Sequence, residues 1–286
     1  MSPSDYVDSY LRFYAWLGDT FTAVRVRMYL QSGLDQQAIN AQDAYGKLTA
    51  ALAARLKLRG ALPAVFVVEG DKYVSTWLWR VYNGKGAPDE IQSVLWLASL
   101  CGLVDASTVH SYTDKYLGID CGGFVANYWG IGQPTPTDPT PTGATGFKPR
   151  TFWGMNRGLR REHPSKIQVG DAAVFFRDVK GDNPDVAAQK KAGGGYDTSS
   201  GSQAFHIGLV SDVSWRAGTN RVSLEIAESS GAMASSGGNG VKVRSLGEVE
   251  AVVANKLVYC PDGGNRIYFV GCNGPPNPYL PDTFGA

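Results

Sequence analysis

Apolar residues recur at helical spacing near the start of the chain. Tyr6, Tyr10, Tyr14 and Leu17 fall about one turn apart, and residues 44–58 are rich in Ala, Leu, Lys and Arg. The spacing predicts helix across residues 4–58. Residues 62–69 are β-branched and apolar and predict a short strand. Residues 89–103 read as a buried helix, opened by Pro88, Asp89 and Glu90. Further along, the pattern changes. Residues 172–176, 206–213, 221–227 and 251–259 are short and apolar or alternating, bounded by Gly, Asp, Asn or Pro. They predict strands of an antiparallel sheet. Helices followed by a run of strands make an α+β fold.

Between these segments lie stretches that cannot repeat. Residues 132–148 carry Pro134, Pro136, Pro139 and Pro141, which excludes regular structure. Residues 180–203 and 229–239 are polar and rich in Gly and Ser, and read as inserted loops. Residues 273–286 are Pro-rich and read as an extended strap. No internal repeat is present.

Composition narrows the function. The chain has 286 residues, 43% hydrophobic and 19% charged, as expected of a folded globular protein. Its formal net charge of +1 gives no electrostatic reason to bind a phosphate backbone, so nucleic acid is not expected as a partner. Residues 91–104 are uncharged and apolar but shorter than the ~18 residues a membrane span needs. The first residues lack a basic and apolar leader, so no signal peptide is expected. The chain has 4 cysteines, none in a C-x-x-C pair, so neither a zinc site nor another metal or cofactor is expected. With only 3 histidines, any mechanism needing an imidazole has three candidates, His110, His163 and His206.

The segment Asp120-Cys121-Gly122-Gly123-Phe124-Val125 concentrates the chemistry. Asp120 is a good N-cap, which would put Cys121 in the first turn of a helix. The helix dipole and unpaired N–H groups there favour a thiolate nucleophile. The alternative is a buried structural cysteine. A reactive thiolate needs an imidazole and a group to orient it. His206 opens an apolar strand after a loop, where its ring can face a cleft; His163 and His110 have no such context. Glu228 ends the next strand and can hold the imidazole, with Glu225 as competitor. The two have opposite parity on a strand, so only one can face the site.

These residues bring the chain to a family. Asp120-Cys121-Gly122-Gly123-Phe124 resembles the Asp-Cys-Ser-Gly-Phe motif of the NlpC/P60 cysteine peptidases, a papain-like group. Val169-Gly170-Asp171-Ala172-Ala173-Val174-Phe175-Phe176 resembles that family's Pro-Gly-Asp-Leu-Val-Phe-Phe strand, and Phe205-His206-Ile207-Gly208-Leu209-Val210 its His-Val-Gly-Ile-Tyr strand. The three occur in the family's order. The resemblance covers about residues 85–260 and implies a catalytic domain over residues 85–286, with 132–148 and 180–203 as inserted loops. Residues 1–84 lie outside it and read as an N-terminal helical region packed on the core. The resemblance also implies a nucleophile helix on an antiparallel sheet and a Cys121–His206–Glu228 triad, with the Cys121 N–H as oxyanion donor. Glu228 stands where the family usually has His, Asn or Gln. Asp120 matches a position that in some members binds the substrate's amine, and Gly122 replaces a serine that can touch substrate.

The activity so implied is hydrolysis of the stem peptide of peptidoglycan. A chain without a leader or a wall-binding repeat then suits a cytoplasmic recycling enzyme or an injected antibacterial effector of the type VI kind. The effector would imply an immunity protein as partner. The alternatives are acyl transfer, deamidation or transglutamination of a protein by the same thiol, and a silent peptide-binding module. Cys260 and Cys272 are candidates for a late disulfide.

Overall fold

The first helix begins on a capping box. The Ser2 hydroxyl accepts the Asp5 N–H at 3.2 Å, and the Asp5 carboxylate accepts the Ser2 N–H at 3.0 Å. Pro3 then occupies the first position of α1 (Pro3–Leu11), which buries Tyr6, Val7 and Tyr10. The computed structural model describes residues 1–31, 36–144, 147–155, 157–177, 179, 182–192, 196–197, 201–231 and 240–272.

The chain does not stay helical to residue 58. β1 (Phe13–Leu17) and β2 (Thr20–Val24) form an antiparallel hairpin that turns on Gly18, whose φ is +63°. Tyr14 and Leu17 fit the helical spacing, but this stretch also alternates. Phe13, Ala15 and Leu17 are buried while Tyr14 and Trp16 face out. The turn at Gly18-Asp19 decides in favour of the period of two. Helix resumes as α2 (Gln36–Arg55). The strand expected at 62–69 is the first arm of a second hairpin, β3 (Val65–Val68) and β4 (Asp71–Val74). Five helices follow: α3 (Ser75–Val81), α4 (Pro88–Leu100), α5 (Val109–Tyr116), α6 (Cys121–Tyr128) and α7 (Pro149–Met155). The described part of 132–148 ahead of α7 has neither helix nor strand.

The second half builds one sheet of 7 strands, in the order β10-β9-β8-β5-β13-β12-β11. These are β5 (Ala172–Arg177), β8 (Gln203–Trp215), β9 (Arg221–Ser230), β10 (Gly240–Glu250), β11 (Val252–Ala254), β12 (Leu257–Asp262) and β13 (Asn265–Val270). Every neighbouring pair is antiparallel. Between β5 and β8, the insertion forms the small hairpin β6 (Gln189–Lys190) and β7 (Tyr196–Asp197). The single strand expected over 251–259 is a hairpin instead. Asn255 and Lys256 adopt φ of +51° and +58°, which turns the chain between β11 and β12. The strap expected over 273–286, and the loop residues 232–239, lie outside the described residues.

The sheet curls on itself. Arg244 on β10 pairs with Asp262 on β12 (Nη1–Oδ2 3.2 Å), although four strands separate these two in the sheet order. Ala173, Phe175, Val210, Leu224, Ile226, Cys260 and Phe269 fill one face. Val174, Phe176, Ile207, Leu209 and Ala227 lie on the other and join the helices in a larger core. Tyr6 packs on Phe124 and Tyr128 of α6, with ring centroids 5.1 and 5.5 Å apart. Residues from the N-terminal region therefore share a core with the sheet. Cys260 and Cys272 are free thiols, not a disulfide. No helix among the described residues is long and apolar enough to cross a membrane.

Candidate active site

Asp120 ends an extended segment and caps α6. Its Oδ1 accepts the Gly123 N–H at 2.6 Å, and its Oδ2 pairs with the Lys85 ammonium. Its own N–H donates to the Gly84 carbonyl at 2.8 Å, which pins the helix start to the α3–α4 loop. Burial pushes the Asp120 carboxyl up, and the Lys85 ammonium opposes that push. Both carboxylate oxygens of Asp120 are thus engaged within the chain.

Cys121 takes the first helical position. An N–H there has no intrahelical acceptor, so it is available to an oxyanion at the thiol. The helix is fixed against the sheet at its other end, where the Trp129 indole N–H donates to the Gly170 carbonyl at 3.1 Å. Gly170 and Asp171 form the turn into β5. Asp171 is buried there on Arg161 (Nη2–Oδ1 2.6 Å).

His206 lies on β8 with two side-chain partners. Its Nε2 is 2.9 Å from Glu228 Oε2, and the Cys121 thiol lies near enough to act on the ring's charge. Burial would push the ring's pKa down. The neighbouring Cys121 thiol and Glu228 carboxylate outweigh burial and raise it to about 9. The ring is therefore protonated at neutral pH. The thiol's residue is 7% exposed and the imidazole side chain 13%, so both are largely shielded from water.

Glu228 is the more deeply buried partner, at 1% exposure. It faces the site because His206 and Val210 on β8 share a face with Ile226 and Glu228 on β9, given the pairing of Leu209 with Ala227. Glu225 has the other parity and lies between Ser245 and Asp212 in the register. The remaining oxygen of Glu228, Oε1, is ringed by donors: Ser230 Oγ at 3.3 Å, Arg244 Nε at 3.5 Å and Lys242 Nζ at 3.9 Å. Burial pushes the Glu228 carboxyl up. The His206 hydrogen bond and charge, then Arg244 and Lys242, bring it below the ordinary carboxylate range. Phe175 supports the ring from one side, with centroids 4.9 Å apart, and Arg244 lies over the same phenyl at 5.4 Å.

Gly122 marks where the Pro-rich loop returns. A Cβ at Gly122 would stand 2.2 Å from the Phe147 carbonyl oxygen, so this position has no room for the serine of the motif it resembles. The loop is anchored by Arg80, itself 1% exposed. Its guanidinium donates to the Ala144 carbonyl at 2.7 Å and the Asn127 side chain at 2.5 Å, and pairs with Glu90 at 2.9 Å. Helices α3, α4 and α6 and the loop beside the thiol therefore meet on one cation.

The structure brings together Cys121, His206 and Glu228, and sets Asp120 and Gly122 beside them. It does not bring in His110, at the start of α5, or His163, which caps a turn by accepting the Ser165 N–H at 3.2 Å. Sequence reasoning missed Lys85, Arg80, Lys242 and Arg244. Lys242 and Arg244 alternate as neighbours on one strand face, and that alternation was the available signal. Lys85 and Arg80 carry none. Among the described residues no group of three or more His, Cys, Asp or Glu is placed to hold a metal ion. No family model matches the chain, and no curated protein or solved structure matches it.

Proposed function

We propose that the protein is a papain-like cysteine hydrolase of the NlpC/P60 kind, acting on the stem peptide of peptidoglycan. One observation carries the catalytic part. A thiol at a helix N-terminus shares an imidazole with a buried carboxylate. That is the arrangement nucleophilic catalysis requires.

The chemistry follows from the roles. Cys121 Sγ, as thiolate, attacks the scissile carbonyl carbon, and the electron pair moves to the carbonyl oxygen beside the Cys121 N–H. The protonated His206 gives its proton to the leaving nitrogen as the C–N bond breaks. An amine departs and a thioester remains. His206, now neutral, takes a proton from water, whose oxygen attacks the thioester. Collapse releases a carboxylic acid and restores the thiolate and imidazolium. Glu228 holds the ring by Nε2 throughout and balances its charge.

The substrate rests on the motif resemblance alone. Digestion of purified peptidoglycan and of soluble muropeptides, read by mass spectrometry, tests it with the wild type and Cys121→Ala. A stem peptide cut only by the wild type supports the reading. Silence on both substrates, with Cys121 still alkylated by iodoacetamide, moves the assignment to acyl transfer or deamidation of a protein. The small exposure of the thiol and ring favours that second reading, because a site that admits little water protects a thioester for another acceptor.

A further inference from the structure

The β1–β2 hairpin carries three large aromatic side chains to the surface. Tyr14, Trp16 and Phe21 are 54%, 55% and 55% exposed. They form one layer: Tyr14 and Phe21 stack at 5.0 Å and 16°, and Trp16 meets Phe21 at 5.0 Å. A contiguous apolar patch of this kind marks a binding surface. It forms one wall of an open groove of about 620 Å³, a size suited to a small ligand. Tyr73 and Trp96, also in the lining, stack at 5.5 Å and 22°. The rest of the lining is Ala15 and the hydrogen-bonding side chains of Asp71, Gln92 and Ser93.

We infer that this groove binds a neutral chain of β-linked pyranose sugars. A pyranose with equatorial substituents has an apolar C–H face and a rim of hydroxyls. The C–H face fits the electron-rich face of an aromatic ring. The hydroxyls fit Asp71, which can accept two of them, and the Gln92 and Ser93 side chains. Five of the nine lining residues are aromatic and none is Leu, Ile, Val or Met, unlike a groove shaped for a peptide's aliphatic side chains. Asp71 is the one charged lining residue, and its charge repels a phosphate backbone.

The inference does not rest on Cys121 or on the proposed reaction. If both hold, the groove would seat a glycan strand while the thiol works on the peptide attached to it.

The test is titration of the full chain with chitotetraose, a β-1,4-linked N-acetylglucosamine tetramer, by calorimetry and by intrinsic tryptophan fluorescence. Saturable binding is expected for the wild type and for Cys121→Ala. Trp16→Ala and Phe21→Ala, both at exposed positions, are each expected to weaken it at least roughly tenfold, with an unchanged melting curve. No binding by the wild type overturns the inference. So does binding that neither substitution weakens, or a concentration-dependent dimer in sedimentation that Trp16→Ala dissolves. Loss of peptide cleavage in Cys121→Ala with sugar binding retained separates the two sites.

Discussion

Gly208 lies against Glu228 across the β8–β9 pair. A Cβ on Gly208 would stand 3.2 Å from Glu228 Cβ and 3.0 Å from the Ala227 carbonyl oxygen. The strand bearing the imidazole and the strand bearing its carboxylate therefore approach as they do because residue 208 has no side chain. Gly208→Ala is expected to push them apart and stretch the 2.9 Å hydrogen bond. The expected cost is about 1–3 kcal/mol in urea unfolding, with a fall in kcat larger than the change in KM. Full activity in Gly208→Ala would show that the carboxylate does not need its observed position.

Substitutions at the triad should rank in a fixed order. Cys121→Ala is expected to abolish turnover while the protein still folds. His206→Ala lowers kcat by roughly 10²–10⁴, the range of general acid–base catalysis. Glu228→Gln is milder, because an amide oxygen still accepts from the ring. Glu228→Ala falls between the last two and also costs stability, since Lys242 and Arg244 lose their shared anion. If Glu228→Ala matches the wild type in kcat, Glu228 does not orient His206.

The His206 ring predicts a pH dependence of known sign. Its folded pKa, about 9, lies above the ordinary ~6.5 of an unfolded histidine. The stability it contributes is fully present below pH ~6.5 and is lost as pH rises through about 9. The loss over that interval is on the order of 3 kcal/mol. Chemical unfolding of the wild type at pH 6 and pH 9.5 should show it, and His206→Ala should flatten that interval. Turnover should fall over the same interval, as the ring loses the proton it gives to the leaving nitrogen.

Arg80 should matter more than its distance from the sulfur suggests. Removing it leaves Glu90 buried without its cation. Burial already pushes the Glu90 carboxyl up to about 7 against the pull of Arg80. Breaking a buried pair from one side costs roughly 3–5 kcal/mol. Arg80→Ala should lower the unfolding free energy by that amount, with a lower denaturation midpoint, and expose residues 132–144 to limited proteolysis. An unchanged midpoint would mean the pair is dispensable.

Gly122→Ala probes the loop at the thiol itself. The new Cβ would meet the Phe147 backbone oxygen, which no side-chain rotation can relieve. Either the loop lifts or the helix start shifts, and both disturb Cys121. The expected readout is slower alkylation of Cys121 by iodoacetamide together with a lower melting temperature.

Much of this was legible from residue types. The strand at 172–176, the cap at Asp120 and the opposed parity of Glu225 and Glu228 each followed from a local rule, and the structure has all three. The failures are also local. Over residues 13–17 both periods fit the apolar positions, and only the turn at Gly18 separates them. β10 was missed because one of its faces is largely exposed, so its sequence lacks a clear apolar run. β13 was missed although Gly263-Gly264 before it is a hairpin signal. Lys85 and Arg80 could not be found, because their partners are distant in sequence and a lone cation carries no pattern.

The sheet order also sets a sequence of events during synthesis. Cys121 leaves the ribosome long before His206 on β8 and Glu228 on β9 exist. The middle strand β5 meets β8 first, but its other neighbour, β13, follows only after β9 to β12. Pairings so far apart in sequence form slowly. For most of translation the thiol therefore has no imidazole to activate it. A chain that stops before β9 therefore holds Cys121 without the imidazole and carboxylate that the proposed mechanism needs.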